Sequence, residues 1–239
     1  MSGRNRWPTL GILLTAHLTF TLVLWLVLGI VSAVTTAGLW WFGNVDESIW
    51  HNVATQVPRW FLMGLGIDAI STYLRLNVAH GRTRGDFLRQ LWPYFVGLAV
   101  SAALLQTIGY LVEGGVYAAA GWSHDLPSAA LFGNANDFAG IFATYTLFLL
   151  LWTIAGALVS AAFSRSVLTG LSTIPLALLI ISPGEILLGP TGFLGIGNVL
   201  SGVGGSTVVG VGWGVVAAVV GCAAIWGIAR DTPLRPKVA

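Results

Sequence analysis

Long apolar runs separated by short polar breaks set the pattern of the chain. Six apolar stretches stand out, at about 9–42, 58–78, 91–119, 137–163, 167–190 and 207–229. The hydrocarbon core of a bilayer takes about 20 apolar residues in a helix. Each stretch therefore reads as a membrane-crossing helix, and residues 1–239 as a single transmembrane domain. The expected fold is all-α, an integral membrane bundle of six helices. The first stretch exceeds one perpendicular crossing, so it starts in the interface near Trp7 and Pro8 or ends beyond the bilayer near Trp40 and Trp41. It is roughly twice as long as the apolar core of a signal peptide, which marks it as an uncleaved first helix. Pro58 is expected in the first turn of the second helix, where its missing N–H costs nothing.

The polar breaks carry the orientation. Arg4, Arg6, Arg75, Arg82, Arg84, Arg89, Arg165, Arg230, Arg235 and Lys237 all fall on one side if the helices alternate, and only Arg59 falls on the other. Asp46, Glu47, Glu113, Asp125, Asp137 and Glu185 gather toward that other side. An excess of Arg and Lys marks the cytoplasmic face, so both termini are expected in the cytoplasm. The break from Ser182 to Trp213 is apolar but rich in glycine and contains Pro183 and Pro190. Two readings stay open for it: a re-entrant hairpin packed among the helices, or a loop beside helices that pack through small residues.

Composition narrows the function. Only 8% of residues are charged, against about 25% in soluble domains, so the net charge of +2 does not signal nucleic acid. The single Cys222 excludes a disulfide or a cysteine metal site within one chain. A phosphate-binding loop of the Walker type needs a lysine, and the only one is Lys237 in the tail. His17, His51, His80 and His124 are scattered over different segments. The chain is expected to carry no catalytic machinery and no cofactor of its own.

Polar groups inside the apolar stretches are the candidates for a substrate path or gate. Asp68 lies near the middle of the second stretch, where an ionised carboxylate costs at least about 2.5–3.5 kcal/mol unless paired, protonated or wet. Arg75 follows seven positions later on a similar helical face, so the two share a polar stripe, although about 10 Å of rise separates them. A functional contact and a structural ion pair are equally consistent with Asp68. Glu113 closes the third stretch, at the interface. An ion or proton relay through Asp68 and Arg75 would make a secondary transporter, but no counterpart of Asp68 appears in the fifth stretch, as an inverted repeat would require. A membrane scaffold or anchor subunit would need no polar group at mid-membrane.

The second connector, from Asn77 to Gln90, combines charge, Gly81 and Gly85 for tight turning, and Phe87. It reads as a short amphipathic elbow at the cytoplasmic surface, held at least by anionic lipid at ~1 kcal/mol per arginine. Its passage Ala79-His80-Gly81-Arg82-Thr83-Arg84-Gly85-Asp86-Phe87 resembles the Gly-x-Thr-Arg-x-x-Phe elbow of permease subunits of bacterial ABC exporters of the type-2 superfamily. The six-helix layout is similar as well. The resemblance implies a bacterial plasma-membrane permease, paired with a second identical or homologous permease and with cytoplasmic ABC ATPase subunits that bind the ATP and Mg. It also implies that Gly81, Arg82, Thr83, Arg84, Asp86, Phe87 and Arg89 couple the permease to the ATPase, with Phe87 as apolar anchor.

Overall fold

A computed structural model describes residues 8–43, 45, 47–124, 126, 132–188 and 207–231. All of its regular structure is helical: α1 (Pro8–Phe42), α2 (Ile49–Asp68), a π-turn (Ala69–Leu74), α3 (Arg75–Ala79), α4 (Arg84–Ala120), α5 (Phe138–Arg165), α6 (Val167–Leu188) and α7 (Thr207–Ala229). Among the described residues, five helices (α1, α4, α5, α6 and α7) are long and apolar enough to cross a membrane, and the protein is a multi-pass membrane protein. The re-entrant reading concerns mainly residues 189–206, and Arg4, Arg6, Arg235 and Lys237 lie in the tails; both lie outside the described residues.

Helix α5 is the axis of the bundle. It packs on α2, α4, α6 and α7 and buries Tyr145, Phe148, Trp152 and Leu158 almost completely. The crossing with α2 is close enough for backbone to meet backbone. A Cβ on Gly66 would lie 2.1 Å from the Thr153 carbonyl oxygen, and one on Gly156 2.1 Å from that of Met63. Two backbones thus touch where both helices have glycine, the usual solution when dispersion and hydrogen bonds rather than the hydrophobic effect must join helices in lipid. Helix α1 stands at the periphery, mainly against α4 and α2, and presents Phe20, Leu22, Val23 and Leu26 outward. Such an apolar exterior would be a liability in water and is what a bilayer solvates.

Two helix starts differ from the sequence-based expectation. Helix α2 begins at Ile49 rather than near 58, so Pro58 lies inside it. Ser48 accepts from the His51 amide as N-cap, and Glu113 supplies a second acceptor to the Trp50 N–H at 2.7 Å. Those two acceptors satisfy the first free amides and let the helix start within a polar segment. Helix α4 begins at Arg84 rather than 91. Thr83 caps the Asp86 amide at 3.1 Å and donates its own hydroxyl to the Asp86 carboxylate at 2.7 Å. The elbow is therefore a short turn, His80–Thr83, followed by the first two turns of α4. Gly81 takes φ +74°, the left-handed conformation that closes α3.

Candidate functional sites

The basic end of the bundle is built around the turn between α3 and α4. Gln90 receives the free amides of Thr9 and Leu10, at 3.0 and 3.1 Å, and so caps α1 from α4. The Thr9 hydroxyl donates to Asn77 at 2.9 Å and accepts from Arg82 at 3.1 Å. Arg84 donates to the carbonyl of Arg230, at 3.3 Å, just past the end of α7. Arg230 in turn donates from Nε to Asp231 at 2.9 Å, and this hydrogen bond holds its guanidinium above the usual arginine range. The turn is thereby tied to both the first and the last described helix. Gly81, Arg82, Thr83, Asp86 and Arg89 remain exposed. Phe87 does not: it is completely enclosed in the core, so the expected apolar anchor faces inward and only polar groups face out. It lies three positions from Arg84, on the face α4 turns toward its neighbours.

About 14 Å into the bundle from that end, by helical rise, α1, α2 and α4 bring three polar groups together. The His17 ring meets the Tyr94 hydroxyl through Nδ1 at 2.5 Å and the Asp68 carboxylate through Nε2 at 3.1 Å. Thr72 donates to the other Asp68 oxygen at 2.7 Å, and the Tyr73 ring stands edge-on to His17, centroids 5.4 Å apart. His17 is buried, whereas the Asp68 side chain keeps 42% of its surface exposed. An imidazole between a phenol and a carboxylate can relay a proton, or hold one as an ion pair. Asp68 ends α2 where the π-turn begins, a deviation from regular helix often found at functional positions. Ser160 of α5 donates to the carbonyl of Ile67 at 3.1 Å, filling an acceptor beside the turn.

The expected stripe of Asp68 with Arg75 is not formed. Each added residue turns the remainder of an α-helix by about 100°, and the π-turn lies between the two positions. Arg75 is exposed, while Asp68 faces His17. Glu113 lines a cavity between α1 and α4 and is held by three donors. It binds the Ser48 hydroxyl, the Trp50 amide and His124 Nε2, the last at 2.9 Å, and so fastens the start of α2 to the far end of α4.

A third polar group of residues went unnoticed in the sequence. Arg59 and Glu185 form a completely enclosed ion pair at 3.2 Å. Trp152 Nε1 donates to Glu185 at 2.8 Å, Arg59 Nε donates to the Thr55 carbonyl at 2.9 Å, and the guanidinium lies 5.3 Å from the Phe148 ring centroid. Beside it runs a chain of buried hydroxyls, Thr55 to Tyr145 at 2.9 Å and Tyr145 to Tyr110 at 2.8 Å, ending on His51 at 2.6 Å. The available signal was Arg59 itself, the one basic residue on the wrong side of the charge pattern. It is on neither face but inside. Comparison with protein-family models, curated proteins and solved structures returned no match.

Proposed function

We propose that this chain is the transmembrane permease subunit of an ATP-driven exporter resembling the bacterial ABC type-2 superfamily, with its basic end in the cytoplasm. The observation that carries this reading is the construction of the basic turn. Arg82, Asp86 and Arg89 are presented to solvent. The same segment reaches α1 through Thr9, and α7 through Arg230. A push on the turn by a partner subunit would pass directly to two peripheral helices. The partner would be a P-loop ATPase with acidic groups facing the arginines. The enclosed Phe87 leaves the docking surface polar.

Isolation of the tagged chain in mild detergent, with every co-purifying subunit identified, tests this. A stoichiometric P-loop ATPase is expected. Reproducible isolation of the chain alone, from cells in which it is otherwise active, overturns the reading.

The His17–Asp68–Tyr94 cluster favours a second reading, a secondary transporter in which Asp68 exchanges a proton or cation. Purified chain in vesicles decides between the two. Uptake or release driven by an imposed pH gradient, without ATP or a partner, supports the second and removes the first.

A further inference from the structure

A cavity of about 600 Å³ opens between α1 and α4 at the end opposite the arginines. The two helices touch at the basic end, where Leu14 comes within 3.4 Å of a Cβ built on Gly97. The cleft follows α1 from Leu22 to Trp40, about 27 Å of helix. That is close to the length of one bilayer leaflet with its headgroup layer, about 20–22 Å. Gly29, Ala33 and Ala37 form one wall, and a Cβ added to Gly29 would meet nothing within 4 Å. Ile108, Val112 and Val116 of α4 form the other wall. The mouth is aromatic, with Trp40, Tyr117 and Trp122 beside the Glu113 carboxylate.

Charge selects the occupant. Among the described residues at this end, Glu47, Glu113 and Asp137 are acidic, and the only basic side chains besides histidine belong to the enclosed Arg59. The adjoining sequence adds Asp46 and Asp125 and no lysine or arginine. An anionic headgroup would meet repulsion and no donor charge. A cation would meet a negative field and the accessible rings of Trp40 and Trp122.

We propose that the α1–α4 cleft binds a cationic amphiphile, its apolar body lying along Gly29 and its amine or quaternary ammonium head between Trp40 and Trp122. Glu113, already holding three donors, contributes its field rather than a direct contact. The site belongs to this chain alone, so absence of a co-purifying ATPase leaves it standing.

The test is binding of radiolabelled hexadecyltrimethylammonium to the purified full chain in nanodiscs of zwitterionic lipid. Hexadecanol and hexadecyl sulfate serve as chain-matched competitors. Saturable binding is expected, displaced by unlabelled cation and at least about tenfold less well by either competitor. Gly29→Leu, at a position where an added Cβ meets nothing within 4 Å and the side chain would project toward the cleft, is expected to abolish it, and Trp122→Leu to weaken it about fivefold. Equal displacement by all three amphiphiles overturns the proposal, as does unchanged binding in a Gly29→Leu protein that retains wild-type thermal stability. If Gly29→Leu does not fold, Trp122→Leu decides alone: unchanged affinity overturns the proposal.

Discussion

Arg59 and Glu185 have no exposed side-chain surface at all, whereas His17 is enclosed beside an Asp68 that keeps 42% of its surface open. The two acid–base pairs share one bundle and one helix, α2, yet they are finished differently. Every charge of the first is met within the core: Glu185 by Arg59 and Trp152, Arg59 also by the Thr55 carbonyl. Neither side chain of the pair has any solvent-exposed surface. The second stops short of closure, at a π-turn, with one oxygen on His17 and the other on Thr72. A sealed pair contributes fixed geometry. A pair open on one side has room to exchange its partner or its proton.

The largest effect should come from breaking the sealed pair. Glu185→Ala leaves Arg59 with an uncompensated buried charge, and a loss of about 3–5 kcal/mol is expected, read as a collapse of the thermal transition in detergent. The double variant Arg59→Met with Glu185→Leu should recover most of that loss, because it removes both desolvation costs together. A double variant as unstable as the single one would mean that the surrounding polar chain, Thr55 to His51, depends on the guanidinium.

Next in size is the crossing that positions both pairs. Gly156→Ala places a methyl group 2.1 Å from the Met63 carbonyl oxygen, against backbone that no rotamer change can move. Overpacking of this kind costs typically about 1–3 kcal/mol and more where nothing can yield. Gly64→Ala, two positions before Gly66 and with nothing within 4 Å, serves as the control and should leave the transition unmoved. Similar losses in both would show that helix propensity or lipid contact, rather than the close approach, governs this face.

Much of the fold was legible because bilayer thickness imposes a simple length rule on apolar runs. The bounds of α1, α5 and α7 agree with the stretches to within two residues. The starts of α2 and α4 were not, since both begin in polar sequence where capping groups, not hydropathy, decide. Thr83 and Asp86 form a local capping pair that the sequence does contain. Glu113 caps α2 from 63 residues away, and no local pattern reveals it. The same limit hid the geometry of both acid–base pairs. Asp68 was visible as a lone carboxylate, but its partner His17 is 51 positions distant. The π-turn that removes Arg75 from its face leaves no mark in hydropathy. Nor does Arg59 reveal Glu185, 126 positions on.

Asp68→Asn sharpens the comparison from the open side. An amide keeps the shape and can still bond His17 and Thr72, and the exposed side of the carboxylate leaves little desolvation to relieve. Stability should change by less than about 1 kcal/mol, while transport should fall severely, read in vesicles or intact cells. His17→Gln should follow the same pattern, with a small stability loss and lost transport. Wild-type transport in Asp68→Asn would place the open pair beside the sealed one as structure.

The smallest stability effect, that of Arg89→Ala, belongs at the basic turn, where two arginines separate latching from docking. Arg82 is exposed but donates to Thr9, so Arg82→Ala removes a tie between the turn and α1 that is worth about 1 kcal/mol. Arg89, exposed one turn past the start of α4, should be within about 0.5 kcal/mol of wild type as alanine. If the exposed guanidiniums are what an ATPase subunit grips, both substitutions weaken its co-purification, Arg89→Ala without any stability change. If Arg82 acts chiefly as the latch, Arg82→Ala retains the partner and its ATP hydrolysis but uncouples hydrolysis from transport, because the push no longer reaches α1. Retention of partner, hydrolysis and coupling in both variants would remove the turn from the mechanism and leave it as a cap on α1 and α4.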